Sequence, residues 1–120
     1  MIKKRLKSLL PTLKERNRYL AFEVISDAKI RDFRAVSRQM LASFSRFYGE
    51  TGLAKANPVM LSDKWNEAKQ TGIIKVSHNH IHELKSSLLF INRISHNDAI
   101  IRSIGTSGIL KKAQSRYLAS

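Results

Sequence analysis

The residues best suited to chemistry lie near the C-terminus, in the stretch Ala99-Ile-Ile-Arg-Ser-Ile-Gly-Thr-Ser-Gly-Ile-Leu-Lys-Lys-Ala-Gln114. Its β-branched residues predict a strand, and the segment from Gly105 to Gly108 predicts a turn in which Thr106 or Ser107 can cap a following helix. That helix carries three cations and no acidic residue: Lys111, Lys112 and Arg116. Because a helix N-terminus with free N–H groups beside cations suits a phosphate, the stretch predicts a nucleic-acid ligand.

A second basic segment lies at the other end of the chain. Residues 1–18 hold seven basic residues against Glu15 alone, and residues 102–117 hold four against none, so these two segments supply most of the net charge of +13. Charge gathered at both ends of a small domain can form one patch that binds phosphates in a salt-dependent manner. Two alternatives stay open: a basic surface that only keeps the protein soluble, and binding to acidic membranes, which no basic amphipathic helix with a broad apolar face supports.

The pattern offers no groups for independent catalysis. The nine carboxylates are scattered, and neither a nucleophile motif nor a glycine-rich phosphate or dinucleotide loop is present. His78, His80 and His82 alternate, but no cysteine and no suitably spaced carboxylate completes a metal site. The strand 73–77 also lacks the aromatic residues on which RNA-recognition domains stack bases, and the isolated Trp65 is expected to pack. We therefore expect no catalytic residue and no metal site, and RNA contacts made through phosphates.

Composition describes one globular domain. The chain has 120 residues, 42% of them hydrophobic and 26% charged, with no apolar run near the ~20 residues that span a bilayer. The basic N-terminus lacks the apolar stretch and cleavage site of a signal peptide, and the absence of cysteine excludes a disulfide framework. We expect a cytoplasmic protein that does not bind membranes.

Residue spacing predicts a basic N-terminal arm over residues 1–17 and one domain over residues 18–120. Within the domain, alternating and helical apolar spacings predict strands at 18–26, 59–65, 73–77 and 98–104 and helices at 32–48 and 79–94, followed by the basic terminal helix. This is the order of a ferredoxin-like α+β fold, an RNA-recognition-motif-like α/β sandwich. It has a four-stranded antiparallel sheet with helices on one face, plus the C-terminal helix.

Apolar stripes indicate how these elements pack. In the first strand Leu20, Phe22 and Val24 share one face, and Tyr19, Ala21, Glu23 and Ile25 share the other. In the first helix the core stripe is Phe33, Val36, Met40, Phe44 and Phe47, and Gly49 and Gly52 are expected to end the helix. In the second helix Asn79 is the expected N-cap residue.

Three segments resemble protein component 2 of archaeal and eukaryotic ribonuclease P: Leu10-Pro-Thr-Leu-Lys14, Arg18-Tyr-Leu-Ala-Phe-Glu-Val-Ile25 and Thr106-Ser-Gly-Ile-Leu-Lys-Lys-Ala-Gln114. The resemblance extends over nearly the whole chain. Where the family usually has Ser-Gly-Thr-Ile, this chain has Ser107-Gly-Ile-Leu110. Ile109 therefore removes a hydroxyl, which leaves any contact by that group open.

The resemblance implies a non-catalytic subunit of an assembly that removes the 5′ leader from precursor tRNA. In that family the RNA subunit, with bound magnesium, performs the hydrolysis, and the protein itself binds no cofactor. Its implied partners are the ribonuclease P RNA, the barrel-shaped protein component 3 and the other protein components. Self-association and an indirect contact with precursor tRNA are implied as well.

The candidate site residues follow from the charge pattern and the resemblance together. The expected RNA contacts are Lys3, Lys4, Arg5, Lys7, Arg16, Arg18, Arg102, Lys111, Lys112 and Arg116. Ile25 and Ile104, on the second face of the sheet, are the expected partner interface. The main alternative is a free-standing ferredoxin-like RNA-binding module, for example a ribosome-associated one; a protein-only interaction domain and an intrinsic nuclease rank lower.

Overall fold

A computed structural model describes residues 16–118, so the predicted basic arm lies outside the described residues except for Arg16 and Asn17. The chain forms an α+β fold with a curled antiparallel sheet. Its strands are β1 (Asn17–Ser26), β2 (Val59–Met60), β3 (Thr71–Ser77), β4 (Arg93–Ile94) and β5 (Asn97–Ser107). Its α-helices are α1 (Phe33–Ala56), α2 (Ile81–Leu88) and α3 (Leu110–Ala113), which continues as a π-helical turn (Gln114–Leu118). Two 3₁₀ turns, Ser62–Lys64 and His78–His80, precede β3 and α2 respectively.

The sheet has five strands in the order β2-β3-β1-β5-β4, one more than predicted. Each strand pairs antiparallel with its neighbours, and β1 lies at the centre between β3 and β5. The additional strand, β4, arises from a tight hairpin in which Ser95 and His96 both have positive φ. Two such residues are typical of the two-residue turns that join antiparallel strands. The hairpin brings Ile94 into the core, where it is fully buried.

The core lies between the sheet and the helices α1 and α2. The alternation predicted for β1 is confirmed, because Leu20, Phe22 and Val24 belong to this core while Ala21 is buried on the opposite face. From α1, the residues Val36, Met40 and Phe44 complete the core as the stripe predicts. The prediction is wrong for Phe47, which remains 45% exposed at the end of the stripe.

Helix α1 is longer than predicted and continues past both glycines to Ala56. Gly49 interrupts the helical geometry with φ 70° and ψ −177°, a conformation available to glycine, but helical turns resume after it. They resume because Ala56 is fully buried and Leu53 packs against the core. The helix ends at Asn57, whose left-handed φ of 47° caps it before Pro58.

Helix α2 is shorter than predicted, because the β4 hairpin takes over the residues after Asn92. Asn79 does not cap the helix; it lies in the preceding 3₁₀ turn, and the N-cap residue is His80, which makes no side-chain capping bond. Glu83 instead accepts a contact from His80 Nδ1 at 3.2 Å. Ile91, the last residue of the predicted stripe, is nevertheless buried.

The second predicted strand also ends early, at Met60. After it, the chain turns so that the indole of Trp65 packs against the rings of Phe22 and Phe33, with centroid distances of 6.4 and 5.8 Å. The buried side chain of Gln70 holds this region to the segment between β1 and α1. Its Nε2 donates to the Ile30 carbonyl at 2.9 Å, and its Oε1 accepts from the Ile30 N–H at 2.9 Å.

The C-terminal segment covers part of the sheet face opposite α1 and α2. Helix α3 packs against β1 and β5 there, and Ala113 is fully buried. Ala21 and its register partner Ile73 are fully buried on this face. In the part of the chain that the structure describes, no helix combines the length and the apolar character needed to cross a membrane.

Candidate RNA-binding surface

The predicted glycine turn is part of strand β5, which continues to Ser107. Gly105 lies under the aromatic ring of Tyr117, and a Cβ added there would meet three ring carbons at 2.8 Å or less. The Tyr117 hydroxyl donates to the Thr106 carbonyl at 3.2 Å, and this hydrogen bond holds the C-terminal turn against β5. Gly105 therefore allows the Tyr117 ring to pack directly on the strand backbone, and the turn itself is limited to residues 108–109.

The predicted helix cap is wrong as well. The N-cap residue of α3 is Ile109, without a side-chain bond, and Ser107 Oγ accepts the Ile109 N–H at 3.1 Å instead. Since α3 has only four residues, it lacks the aligned peptide dipoles on which the predicted phosphate site depended. Any phosphate contact here must come from the side-chain cations.

Arg18 lies beside the start of this helix. Its Nη1 donates to the Asn17 carbonyl at 3.1 Å and would be 3.3 Å from a Cβ placed on Gly108. The missing side chain at Gly108 thus leaves room for the guanidinium. Arg16 is exposed just before β1, and its carbonyl accepts the backbone N–H of His78, which follows β3, at 2.9 Å. The structure brings both arginines to the N-terminal end of β1.

Lys111 and Lys112 are exposed and line an open groove of about 880 Å³. Its opposite wall is the segment between β2 and β3, which includes Trp65 and Lys64. Sequence reasoning missed Lys64, because Asp63 beside it balances the local charge; in the structure these two are 3.7 Å apart. The groove combines lysines on both walls with amide and hydroxyl groups and one indole, and the carboxylates of Asp63 and Glu67 line the wall opposite Lys111 and Lys112. It is large enough for a nucleotide-sized ligand.

The remaining predicted cations are differently placed. Arg116 is exposed on the π-helical turn. Arg102 is already engaged, since its Nη2 and Nε donate to Glu23 Oε1 at 2.8 and 3.1 Å across the sheet. A phosphate at Arg102 would therefore have to displace Glu23. Lys3, Lys4, Arg5 and Lys7 lie outside the described residues.

The two predicted interface residues have different environments. Ile25 is 45% exposed and pairs in register with Ile100, which is 54% exposed, so the two form an uncovered apolar pair on the sheet. Ile104 is half-buried at the bulge between β1 and β5, in a depression that Tyr117 and Leu118 also line. Ile100 is a neighbour that sequence reasoning missed, because only the strand register makes it the partner of Ile25.

The alternating histidines do not converge. His78 contacts the Arg16 carbonyl, His80 contacts Glu83, and His82 is exposed. Among residues 16–118 no group of three histidine, cysteine or acidic side chains could hold a metal ion.

A family model described as the Rpp14/Pop5 family matches residues 18–118 of this chain. That range includes all the described strands and helices apart from the first residue of β1. The chain belongs to the Rpp14/Pop5 family. The Rpp14/Pop5 match includes the groove lysines, the arginine at the start of β1 and the apolar pair on the sheet.

Curated relatives of this Rpp14/Pop5 chain carry the name ribonuclease P protein component 2. The chain is 36% identical to the one from Pyrococcus furiosus over 113 residues, which cover 94% of this chain and 92% of the relative. It is 34% identical to the one from Pyrococcus horikoshii, covering 97% and 94% of the two chains. The one from Methanocaldococcus jannaschii is 30% identical, covering 94% and 81%.

Among solved structures, the fold is similar to a chain in the cryo-EM structure of yeast ribonuclease MRP. The TM-score is 0.63, and the likeness covers 79% of this chain and 76% of that chain. At 13% sequence identity this similarity concerns the fold alone.

Proposed function

We propose that this chain is a protein subunit of ribonuclease P that supports a catalytic RNA in removing the 5′ leader from precursor tRNA. The observation that carries the proposal is the family match over residues 18–118, together with 36% identity to a ribonuclease P protein component 2 over 94% of the chain. In this assignment magnesium on the RNA supplies the hydrolysis. The protein contributes charge and shape, and it binds no cofactor of its own.

The RNA surface in this proposal consists of the cations around the C-terminal segment and the start of β1. Arg16, Arg18, Lys111, Lys112 and Arg116 contact phosphates, and the basic arm with Lys3, Lys4, Arg5 and Lys7 extends the same surface. Folded RNA brings phosphates close together, and cations that replace condensed counterions reduce their repulsion. Support for this role comes from the side chains of the two groove lysines and of Arg116, which are exposed and outside any ion pair among the described residues.

Protein partners form the second half of the proposal. They are the barrel-shaped protein component 3 and other protein components, with precursor tRNA contacted indirectly and self-association of this chain within the complex. We assign Ile25 and Ile104 to that interface and add Ile100, because the exposed pair that it forms with Ile25 is apolar surface that water solvates poorly. The cytoplasm is the proposed location.

We also assign the sheet to the ferredoxin-like class, related to the RNA-recognition motif. What supports this assignment is the order β2-β3-β1-β5, in which a helix crosses over between β1 and β2 and another follows β3. The short β4 is then an addition at the sheet edge. The alternative function, a free-standing ferredoxin-like RNA-binding module, is not favoured, because the named relatives are ribonuclease P components across nearly their full length.

Reconstitution tests the proposed function. The full chain is added, with and without component 3, to a cognate ribonuclease P RNA and precursor tRNA, and cleavage is measured over a magnesium series. We expect a faster rate and activity at lower magnesium concentration, since the protein cations replace part of the ionic screening. No gain under any of these conditions would contradict the proposal, and cleavage by the chain without RNA would point to a nuclease instead.

A charge variant tests the RNA surface. The triple variant Lys111→Ala/Lys112→Ala/Arg116→Ala should lower RNA affinity and reduce the slope of log affinity against log salt by about 2 to 3, roughly one per lost phosphate contact. The matched control is Lys29→Ala/Arg31→Ala/Arg38→Ala, which removes the same charge from three exposed cations before and within α1. An equal loss of slope in both variants would show that net charge alone, and not this surface, governs binding.

A further inference from the structure

Two exposed phenylalanines meet where α1 and α2 pack together. Phe47 is 45% exposed, Phe90 is 61% exposed, and their ring centroids are 4.5 Å apart. The helices are joined just beneath them, where Ser43 Oγ donates to the Ser87 carbonyl at 2.6 Å. Leu89, next to Phe90 in the chain, is 79% exposed. We call Phe47, Leu89 and Phe90 the aromatic patch.

The rest of this helix pair keeps its large apolar side chains covered. Phe44, three residues before Phe47 in α1, is fully buried and packs against Tyr48 with a centroid distance of 4.9 Å. The aromatic patch thus leaves two phenyl rings and a leucine exposed, although 26% of the residues of the chain are charged and could provide a polar surface. Contiguous exposed apolar groups of this kind mark interaction sites.

The patch is basic on the side of Phe90. A small depression beside Phe90 is lined by Arg46 and Arg93, together with uncharged residues and no carboxylate. Neither arginine belongs to an ion pair within residues 16–118, although Asp98 is the register partner of Arg93 in the β4–β5 hairpin. An apolar centre flanked by two available guanidinium groups complements a partner surface with an apolar side chain and carboxylates.

The same charge argues against a second copy of this chain as the occupant. Two copies that met through this patch would bring four arginines together, and the depression beside Phe90 contributes no carboxylate between them. Like charges at an interface are unfavourable. The patch also differs from an RNA-stacking platform. Its two rings lie against each other, and its most exposed member, Leu89, has no aromatic face on which a base could stack.

The patch lies away from the proposed RNA surface. Strand β1 begins beside Arg16 and Arg18 and ends at Ser26, and ten residues of strand extend roughly 30 Å. Asn92 lines both the depression beside Phe90 and the one that contains Ile25 and Ile100, so these apolar surfaces meet at the far end of β1. RNA at one end and protein at the other can be bound at the same time.

We propose that the aromatic patch is a docking surface for another protein of the assembly, one that presents an apolar side chain flanked by acidic residues. This inference rests on the proposed function, because it takes the chain to work within a ribonucleoprotein. It adds a second protein-binding surface to the Ile25–Ile100 pair. The arginines beside the patch select the acidic partner and orient it.

The test uses the full chain with the purified protein components of a cognate ribonuclease P. The variant Phe47→Ser/Phe90→Ser removes both rings, and the control Ile109→Ser removes an isoleucine that is 53% exposed beside the groove lysines. Circular dichroism first establishes that each variant is folded. Affinity for the protein components is then measured without RNA, and affinity for the RNA is measured without the other proteins.

We expect the double variant to lose about tenfold or more in affinity for one protein component, the scale of a hot-spot pair, while its RNA affinity stays unchanged. Arg46→Glu/Arg93→Glu should weaken the same complex most strongly at low salt, and Arg46→Lys/Arg93→Lys should retain most of it. Unchanged protein affinity in the double variant would overturn the proposal. A loss of RNA affinity would show a nucleic-acid surface, and a loss limited to self-association would show a second copy; each also overturns it.

The outcome for the wild-type chain separates this inference from the proposed function. If the wild-type chain joins no ribonuclease P complex, the proposed function fails. If the wild-type chain assembles and the double variant assembles equally well, only the docking surface is refuted.

Discussion

Replacing Gly105 with alanine tests how the C-terminal segment is attached to the sheet. The new Cβ would meet three ring carbons of Tyr117 at 2.8 Å or less, a distance that real Cβ atoms do not tolerate. The strand cannot yield, because Gly105 pairs with Ala21 at the centre of the sheet. We therefore expect the ring of Tyr117 to move and to displace the C-terminal turn together with the adjoining helix, which carries Lys111 and Lys112.

The magnitude follows from what the displacement removes. Losing the Tyr117 hydrogen bond to Thr106 costs about 1 kcal/mol. Partly exposing Tyr117 and the fully buried Ala113 costs about 2 kcal/mol more. Alanine in place of glycine within a strand returns about 0.5–1 kcal/mol. The net loss in the free energy of unfolding is about 2 kcal/mol, or roughly 10 °C in Tm for a domain of this size.

Urea unfolding monitored by the fluorescence of Trp65, the one tryptophan of the chain, measures this loss. Gly108→Ala is the matched control, because its Cβ would meet only the end of the Arg18 side chain at 3.3 Å, which can move. If the clash with Tyr117 is the cause, Gly105→Ala should no longer destabilise in a Tyr117→Ala background, where only the gain of about 0.5–1 kcal/mol from replacing glycine in a strand remains. The same loss in both backgrounds, or no loss in the wild-type background, would refute the reasoning.

Two further predictions concern buried and surface polar contacts. Gln70→Ala should lower the free energy of unfolding by about 2–4 kcal/mol in urea titrations, because it leaves both backbone polar groups of Ile30 without their partner; a loss below 1 kcal/mol would contradict this. Glu23→Gln should change stability by less than about 1 kcal/mol, since its ion pair with Arg102 is partly exposed. The same variant should tighten RNA binding in filter assays if Arg102 contacts a phosphate, and unchanged binding would remove Arg102 from the RNA surface.

The spacing of apolar residues along the sequence predicted correctly which side chains of the first strand and the first helix share a face. The alternation in β1 placed Leu20, Phe22 and Val24 on one face, which the structure shows to be the core face, and helical spacing predicted Met40 and Phe44 as core residues. These predictions succeed because one covered face leaves a periodic trace in the sequence. Boundaries were less accurate: Gly49 suggested a helix end, whereas contacts of Ala56 with the distant core extend the helix.

The candidate site, too, was predictable from the sequence only in part. The cations of the proposed RNA surface were predicted from the charge pattern and the family resemblance together, since a cluster of like charge is visible in sequence. Tertiary contacts then distinguished among them, because Arg102 is engaged by Glu23, 79 residues away, whereas Lys111 is exposed beside the groove. The position of Lys64 on the opposite wall of that groove depends on the register of β2 and β3, which no local pattern encodes.

By itself, the sequence determined the class of fold, the basic character of both chain ends and the family resemblance, which the family match confirms over residues 18–118. Only the tertiary structure decided that Gly105 lies beneath Tyr117, that Ile25 pairs with Ile100 and that Phe47 stays exposed against Phe90. The physical reason is that spacing along a strand or helix specifies which face a side chain occupies. Whether that face is covered depends on elements far away in the chain.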